Sequence, residues 1–309
     1  MAQTEIFDVV IVGSGPGGYV AAIRAGQLGL KTAIVEKDPF FGGTCLHRGC
    51  IPTKALLHTA DLLDEFGHAR TFGVIAGPAT LDMTVVQARK DKVVNQLATG
   101  VKGLLRKHKV TMFQGFGVLV SANKIALKDP AGKVTGEVQA KNIILATGSD
   151  CRDIPSLPCD HKVVINSDDI LKLPAVPKAL LVIGAGAVGS EFASIYRRYG
   201  SAVTLVEMMP TLVPVEDEEI GKALGEAFTR QGIQVKTETT VSALKVVGDK
   251  AEVVMKGKDG KEEKGTFDRV LVAIGRKPMT DGIGLETVGV KTDKGYVIEL
   301  DIHFRSNLV

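Results

Sequence analysis

Two stretches of this chain repeat one order of apolar runs, glycine clusters and helical segments. Phe7-Asp8-Val9-Val10-Ile11-Val12 is largely apolar, which predicts a buried strand, and it runs into Gly13-Ser14-Gly15-Pro16-Gly17-Gly18. A helical segment from Tyr19 to Leu28 follows, then a second strand, Thr32-Ala33-Ile34-Val35, ending at Glu36. The same order returns in Ala179-Leu180-Leu181-Val182-Ile183 and the turn Gly184-Ala185-Gly186-Ala187-Val188-Gly189. A helix from about Ser190 to Tyr199 and a strand, Val203-Thr204-Leu205-Val206, lead to Glu207. Glu36 and Glu207 each stand 23 residues after the first glycine of their copy, and Gly29 and Gly200 occupy matching offsets.

Later segments extend the parallel. Asn142-Ile143-Ile144-Leu145-Ala146-Thr147-Gly148 and Arg269-Val270-Leu271-Val272-Ala273-Ile274-Gly275 both read as buried strands ending at a glycine, each returning to the sheet of its own unit. The first unit carries the larger insertion. It holds helical stretches through about Lys107 and a strand meander from about Val110 to Val138, with Asp129-Pro130-Ala131-Gly132 as a hairpin turn. In the second unit Lys256-Gly257-Lys258-Asp259-Gly260-Lys261 reads as a charged, solvated hairpin tip. Pro155, Pro158, Pro174 and Pro177 mark the connection between units.

The context of each glycine cluster is what gives it chemistry. A strand before, a helix after and an acid ending the second strand complete a dinucleotide-binding fingerprint. The first glycine allows the tight turn, the second lets backbone approach a pyrophosphate, and the third lets helix pack on strand. The phosphates then meet the N–H groups and positive end of the helix. Glu36 and Glu207 are placed to accept bonds from ribose hydroxyls, and Glu207 would repel a 2′-phosphate, which favours NAD over NADP in the second unit. The fold expected is α/β: two Rossmann-like, doubly wound, three-layer nucleotide-binding domains, the second inserted in the first.

Composition narrows the picture further. A chain of 309 residues, 45% hydrophobic and 24% charged, is long enough for about two domains with sizeable cores. The net charge of +3, with no arginine-rich run and no Trp, gives no support to a nucleic-acid partner or a membrane surface. No apolar stretch approaches a membrane span. Met1-Ala2-Gln3-Thr4-Glu5 lacks a basic leader and passes straight into a strand. The expected location is the cytoplasm, or the mitochondrial matrix after loss of a transit peptide.

Four cysteines without a dense framework suit a reducing compartment, where a disulfide is more often catalytic than structural. Two of them, Cys45 and Cys50, lie in Gly42-Gly43-Thr44-Cys45-Leu46-His47-Arg48-Gly49-Cys50-Ile51-Pro52-Thr53-Lys54, just downstream of the first fingerprint. A structural bridge here would close a tiny loop worth only about 2 kcal/mol. A redox pair is the favoured reading, with inert thiols or a metal site as alternatives. A zinc site needs a second ligand pair at suitable spacing, and none follows.

Taken together, these landmarks resemble the flavin-dependent pyridine nucleotide–disulfide oxidoreductases, and within that family its dihydrolipoamide dehydrogenase branch. The resemblance rests on Gly13 to Gly18, Gly42 through Pro52, Lys54, Ala146-Thr147-Gly148, Gly184 to Gly189, Glu191, Glu207 and Ala273-Ile274-Gly275-Arg276, nearly the full length present. It implies FAD bound by Gly13, Gly15, Gly18, Glu36, Lys37, Gly43, Thr44, Lys54, Gly117 and Gly148. It implies NAD bound by Gly184, Ala185, Gly186, Ala187, Val188, Glu207, Val241, Gly275 and Arg276. The implied catalytic residues are Cys45 as interchange thiol, Cys50 as the thiolate against the flavin, and Lys54 paired with Glu191; no metal is implied. By resemblance the domains are an FAD-binding domain over 1–150, an NAD-binding domain over 151–277, and a returning segment over 278–309.

The implied reaction oxidises dihydrolipoamide, carried by a lipoyl domain of a 2-oxo acid dehydrogenase or glycine cleavage complex, and reduces NAD. A regular helix places residues five apart roughly 7.5 Å along its axis, so a Cys45–Cys50 bridge predicts a helix distorted between them, eased by Gly49. Where the family commonly has Asn-Val, this chain has His47-Arg48, two cationic candidates able to lower a thiol pKa if they face it. Cys151 and Cys159 match no exchange motif. Family chains continue into a dimerisation domain that supplies a His-Glu acid–base pair. None of His47, His58, His68, His108, His161 and His303 stands in that context, so a C-terminally truncated chain with impaired lipoamide activity is expected, from a homodimeric parent. The alternatives are a related disulfide or mercuric reductase, or a non-catalytic nucleotide-binding fragment.

Overall fold

The computed structural model describes residues 5–75, 77–293, 296–297 and 300–308. The chain forms two compact units. Met1–His47, Val94–Asp150 and Lys277–Val309 make the first, and Arg48–Val93 and Cys151–Arg276 the second, so the chain leaves the first unit and later returns to it.

The first unit is built on strands β1 (Ile6–Val12), β2 (Thr32–Glu36), β3 (Thr111–Gln114), β4 (Phe116–Ser121), β5 (Lys124–Lys128) and β6 (Val134–Leu145), in the sheet order β3-β2-β1-β6-β5-β4. Helix α1 (Pro16–Gln27) connects β1 to β2, which pair in parallel. Two expectations change here. Thr111–Gln114 is not part of a meander but the parallel neighbour of β2. And β6 is one long strand, antiparallel to β5 over Val134 to Gln139 and parallel to β1 from Gln139 to Leu145, ending three residues before Gly148. Phe7, Val10, Ala33, Leu119, Ile125 and Val138 pack as the core, joined by Ile283 and Leu285 from the returning segment. The turn at Asp129 is as expected: its carbonyl accepts the Gly132 N–H at 2.9 Å.

Along the chain between β2 and β3 come α2 (Gly43–Arg48), α3 (Cys50–His68) and α4 (Met83–Lys107). Although they precede residue 150, residues 48–93 pack within the second unit. After the short strand β7 (Ser149–Cys151), that unit contains β8 (Val164–Ile165), α5 (Ser167–Ile170), β9 (Ala179–Ile183), α6 (Ala187–Arg198), β10 (Ala202–Val206), α7 (Glu218–Arg230) and β11 (Gln234–Lys236). A meander of β12 (Thr239–Val247), β13 (Lys250–Gly257) and β14 (Glu262–Phe267) leads to β15 (Arg269–Val272). The sheet β11-β10-β9-β15-β8 is parallel throughout. Its β8 edge lies in the stretch read from prolines as a plain connection; two apolar residues are too short a run to signal a strand.

Helix α3 belongs to this core because it buries Leu56 and Ala60 in the cluster of Phe192, Ile195 and Tyr196. The Tyr199 hydroxyl donates to the Leu56 carbonyl at 2.8 Å, and Arg198 pairs with Asp61. Each buried phenol has a backbone acceptor, as buried polar groups require; that of Tyr196 is the Ile170 carbonyl, at 2.8 Å.

The glycine turns are the same object twice. Gly13 (φ +100°) and Gly184 (φ +97°) occupy left-handed backbone, where a Cβ would fall 2.2 Å from the Ala146 carbonyl oxygen and 2.5 Å from that of Ala273. A Cβ on Gly18 or Gly189 would stand 1.9 Å from the carbonyl oxygen of Gly13 or Gly184. Gly15 and Gly186 are the N-caps of α1 and α6, with φ/ψ of −65°/−177° and −66°/−178°. The helices therefore begin at Pro16 and Ala187, three residues earlier than the pattern suggests; proline suits a first helical turn, where its missing N–H costs nothing.

Two measurements check this account. Gly18→Ala and Gly189→Ala are each expected to lose about 3 kcal/mol in chemical denaturation, whereas Gly15→Ala and Gly186→Ala, whose added methyl meets nothing within 4 Å, should stay within about 1 kcal/mol. Equal losses at both kinds of position would reject it. Asp268 joins β15 to β9 by accepting the Ala179 N–H at 2.8 Å. That backbone bond, helped by Lys250, outweighs burial and holds its carboxyl below the usual carboxylate range. A lowered folded pKa stabilises at pH above the unfolded value, about 3.9, and the gain is lost as pH falls through the folded value. Asp268→Asn should thus lower Tm at pH 7, with the gap closing by about pH 2; a pH-independent gap would contradict the assignment.

Candidate functional site

Each acid that ends a second strand is turned back onto its own glycine loop. Glu36 is buried, and its Oε2 accepts the Ser14 N–H at 2.9 Å and the Ser14 hydroxyl, while Oε1 accepts the Asp38 N–H at 2.8 Å. Glu207, also buried, accepts the Ala185 N–H at 2.7 Å and the Met209 N–H at 2.9 Å. The two carboxylates are equivalent, each braced beside a helix N-terminus that no side chain caps. Ser14 carries no motif signal of its own in the sequence. Its hydroxyl also accepts the Gly42 N–H at 3.0 Å, tying the first glycine turn to the loop that feeds the cysteines. The signal available was a hydroxyl at the position that alanine holds in the second copy.

Gly43 (φ +63°) comes so close to Gly15 that a Cβ would lie 2.4 Å from the Gly15 Cα. From there α2 carries Thr44 and Cys45. Helicity breaks at Gly49 (φ −145°, ψ −113°), and α3 starts at Cys50, anchored by the Thr53 N–H on the Gly49 carbonyl at 3.1 Å. Cys45 and Cys50 are joined in a disulfide, Cys45 half-buried and Cys50 exposed. The distortion expected between them is present, at the glycine expected to allow it. One turn into α3, Lys54 forms an ion pair with Glu191 of α6.

His47 and Arg48 are both engaged elsewhere. The His47 Nε2–H donates to the Phe41 carbonyl at 2.9 Å, and the Arg48 guanidinium pairs with Asp168 at 3.1 Å. Cys159 is a free thiol that burial pushes up to about 11, too protonated for exchange chemistry at neutral pH. Cys151, likewise outside the disulfide, lies 3.2 Å from the Ser167 hydroxyl and 4.0 Å from the Arg276 guanidinium.

The remaining implied residues sit at strand ends and turns. Gly148 (φ +72°) and Gly275 (φ +110°) follow β6 and β15 in equivalent places; their carbonyls accept the Met279 and Arg152 N–H groups at 2.9 and 3.1 Å. Gly117 lies inside β4, where a Cβ would meet Val12 and Val35 at 3.1 and 3.3 Å, so sheet packing by itself already favours a small residue there. Lys37 pairs with Asp38 at 3.1 Å. Ala187 and Val188 open α6, and Val241 lies at the β12 bulge, half-buried. Space above Gly15 and Gly186, two uncapped helix N-termini and a braced acid beside each are the features a dinucleotide diphosphate and its ribose require. The residues present fit FAD and NAD.

Comparison with known proteins agrees with this geometry. The chain is 42% identical over 303 residues to the mitochondrial dihydrolipoyl dehydrogenase of Pisum sativum, covering 97% of this chain and 60% of that protein. It is likewise 42% identical to a leghemoglobin reductase of Glycine max, and 40% identical to a dihydrolipoyl dehydrogenase of Cupriavidus necator, covering 58% and 65% of those proteins. The chain thus spans about three fifths of the length of the curated relatives it matches. Among solved structures, the flavoprotein disulfide reductase RclA of Escherichia coli shares the fold, with a TM-score of 0.80 at 24% identity over 97% of this chain and 63% of that one. Family members bind FAD and NAD. Residues 7–309 match the pyridine nucleotide-disulphide oxidoreductase family, and the chain belongs to it.

Proposed function

We propose that the protein oxidises dihydrolipoamide to lipoamide and reduces NAD, with Cys45 and Cys50 as its redox pair. The observation that carries this reading is the Cys45–Cys50 disulfide at the N-terminus of a helix whose Lys54 is paired with Glu191. In this reading residues 1–150 form the FAD-binding domain, 151–277 the NAD-binding domain, and 278–309 the segment returning toward the first. The proposed partner is a lipoyl domain of a 2-oxo acid dehydrogenase or glycine cleavage complex, met in the cytoplasm or mitochondrial matrix by a homodimeric protein.

The exchange proceeds by two thiolate displacements. A dihydrolipoamide thiolate attacks the Cys45 sulfur, the Cys45–Cys50 bond breaks, and its electron pair leaves on Cys50 as a thiolate. The second substrate thiol gives its proton to solvent and displaces Cys45 as a thiolate, closing the lipoamide ring and leaving two electrons on the cysteine pair. Bound FAD supplies the two-electron relay between that pair and NAD. The Lys54 ammonium, four residues along α3 from Cys50, favours negative charge at the helix N-terminus, and Glu191 holds it there. Glu207 accepts ribose hydroxyls and disfavours a 2′-phosphate. A second reading, reduction of a haem protein, draws on the leghemoglobin reductases among the relatives.

Anaerobic titration of the FAD-loaded protein tests the reading. NADH is expected to deliver about one equivalent more to the wild type than to Cys45→Ser or Cys50→Ser, because a disulfide takes two electrons. Oxidised lipoamide should reoxidise the reduced wild type at least tenfold faster than glutathione disulfide does, and NADPH should act at least tenfold more slowly than NADH. Equal NADH uptake by wild type and serine variants would overturn the redox role. Normal uptake with lipoamide no faster than glutathione disulfide would overturn the substrate, and reoxidation by a ferric haem protein alone would select the second reading.

A further inference from the structure

The break at Gly49 leaves the disulfide between two short anchors. On one side α3 is held to α6 by Asp61–Arg198, Lys54–Glu191 and the Tyr199 hydroxyl on the Leu56 carbonyl. On the other, Arg48, the last residue of α2 and two before Cys50, pairs with Asp168. Asp168 is a fixed point. It lies in α5, whose start carries a capping box: the Asp168 and Asp169 N–H groups donate to the Asn166 side chain at 2.9 and 3.2 Å, and Asp169 accepts the Asn166 N–H. The other end of α5 receives the buried Tyr196 hydroxyl on the Ile170 carbonyl. With side chains only 27% and 19% exposed, the Arg48–Asp168 pair is better shielded than the surface pairs that contribute little.

We propose that Arg48 and Asp168 are positioning residues that clamp the redox turn, keeping the end of α2 in register with Cys50 when the disulfide is open. The clamp acts on the Cys45–Cys50 exchange proposed above. Holding the backbone on both sides of the break keeps the thiols near their bonded geometry, which raises the effective concentration of one at the other and favours the disulfide. Arg48 therefore acts through placement, because Asp168 already offsets its charge. A guanidinium that worked by stabilising a thiolate would be served badly by a carboxylate partner 3.1 Å away.

The two modes differ in sign. The intact FAD-loaded protein is equilibrated with mixtures of dithiothreitol and its oxidised ring, in which dithiothreitol gives two electrons and two protons to the Cys45–Cys50 bond. The dithiol fraction is read by alkylation and mass, without lipoamide or NAD, so a failed substrate assignment leaves the test intact. Arg48→Gln and Asp168→Asn are each expected to shift the equilibrium toward the dithiol about tenfold, equivalent to about 30 mV. The double variant should shift it no further, and the charge swap Arg48→Asp with Asp168→Arg should restore at least half of the shift. Shifts of opposite sign in the two single variants, as charge on a thiolate would give, or no shift in either, would overturn the proposal. Additive shifts with no rescue by the swap would also overturn it.

Discussion

The contact on which the structure depends is that of a helix-turn glycine against the carbonyl of the glycine that begins its loop. At Gly18 on Gly13, and again at Gly189 on Gly184, a Cβ would lie 1.9 Å from oxygen, so no other residue permits this approach. The approach brings the N-terminus of α1 or α6 over the end of its central strand. It leaves Gly15 and Gly186 facing open space, and it presents the amide of Ser14 or Ala185 to a buried glutamate. Suitability for phosphate is thus a by-product of close packing: the conformation that lets helix meet strand also points uncapped N–H groups outward.

The cysteine segment uses the same economy in a different way. Gly43 packs on Gly15, so the loop carrying the cysteines starts from the nucleotide turn itself, with Ser14 stitching the two together. Helix α3 then takes its rigidity from α6, where Leu56 and Ala60 are buried and three polar contacts fix its position. A bond between residues five apart cannot be spanned by an unbroken helix, and the break at Gly49 is the local accommodation.

Much of this was legible along the chain. The paired fingerprints, the acids at equal offsets and the strands β6 and β15 rest on local periodicity and on residues with few conformational choices. The break near Gly49 followed from covalent geometry alone. Misreadings occurred where local signals are weak. Thr111–Gln114 reads as the start of a meander because four half-apolar residues carry no direction, and only the exposed edge of β2 draws them into parallel pairing. Val164–Ile165 looks like linker because two residues define no period. For His47 and Arg48 the sequence names no partner at all; their side chains reach Phe41 and Asp168, the latter 120 residues away in sequence.

By itself, then, the order of residues determined the two nucleotide turns, the redox spacing and the α/β class, because each depends on steric limits that act within a few residues. Tertiary structure alone decided that α3 packs with the second unit, that Ser14 joins two loops, and that Arg48 meets Asp168. Those outcomes depend on which buried surfaces and charged groups meet across long sequence separations, and a side chain's partner is chosen by the completed packing rather than by its neighbours in the chain.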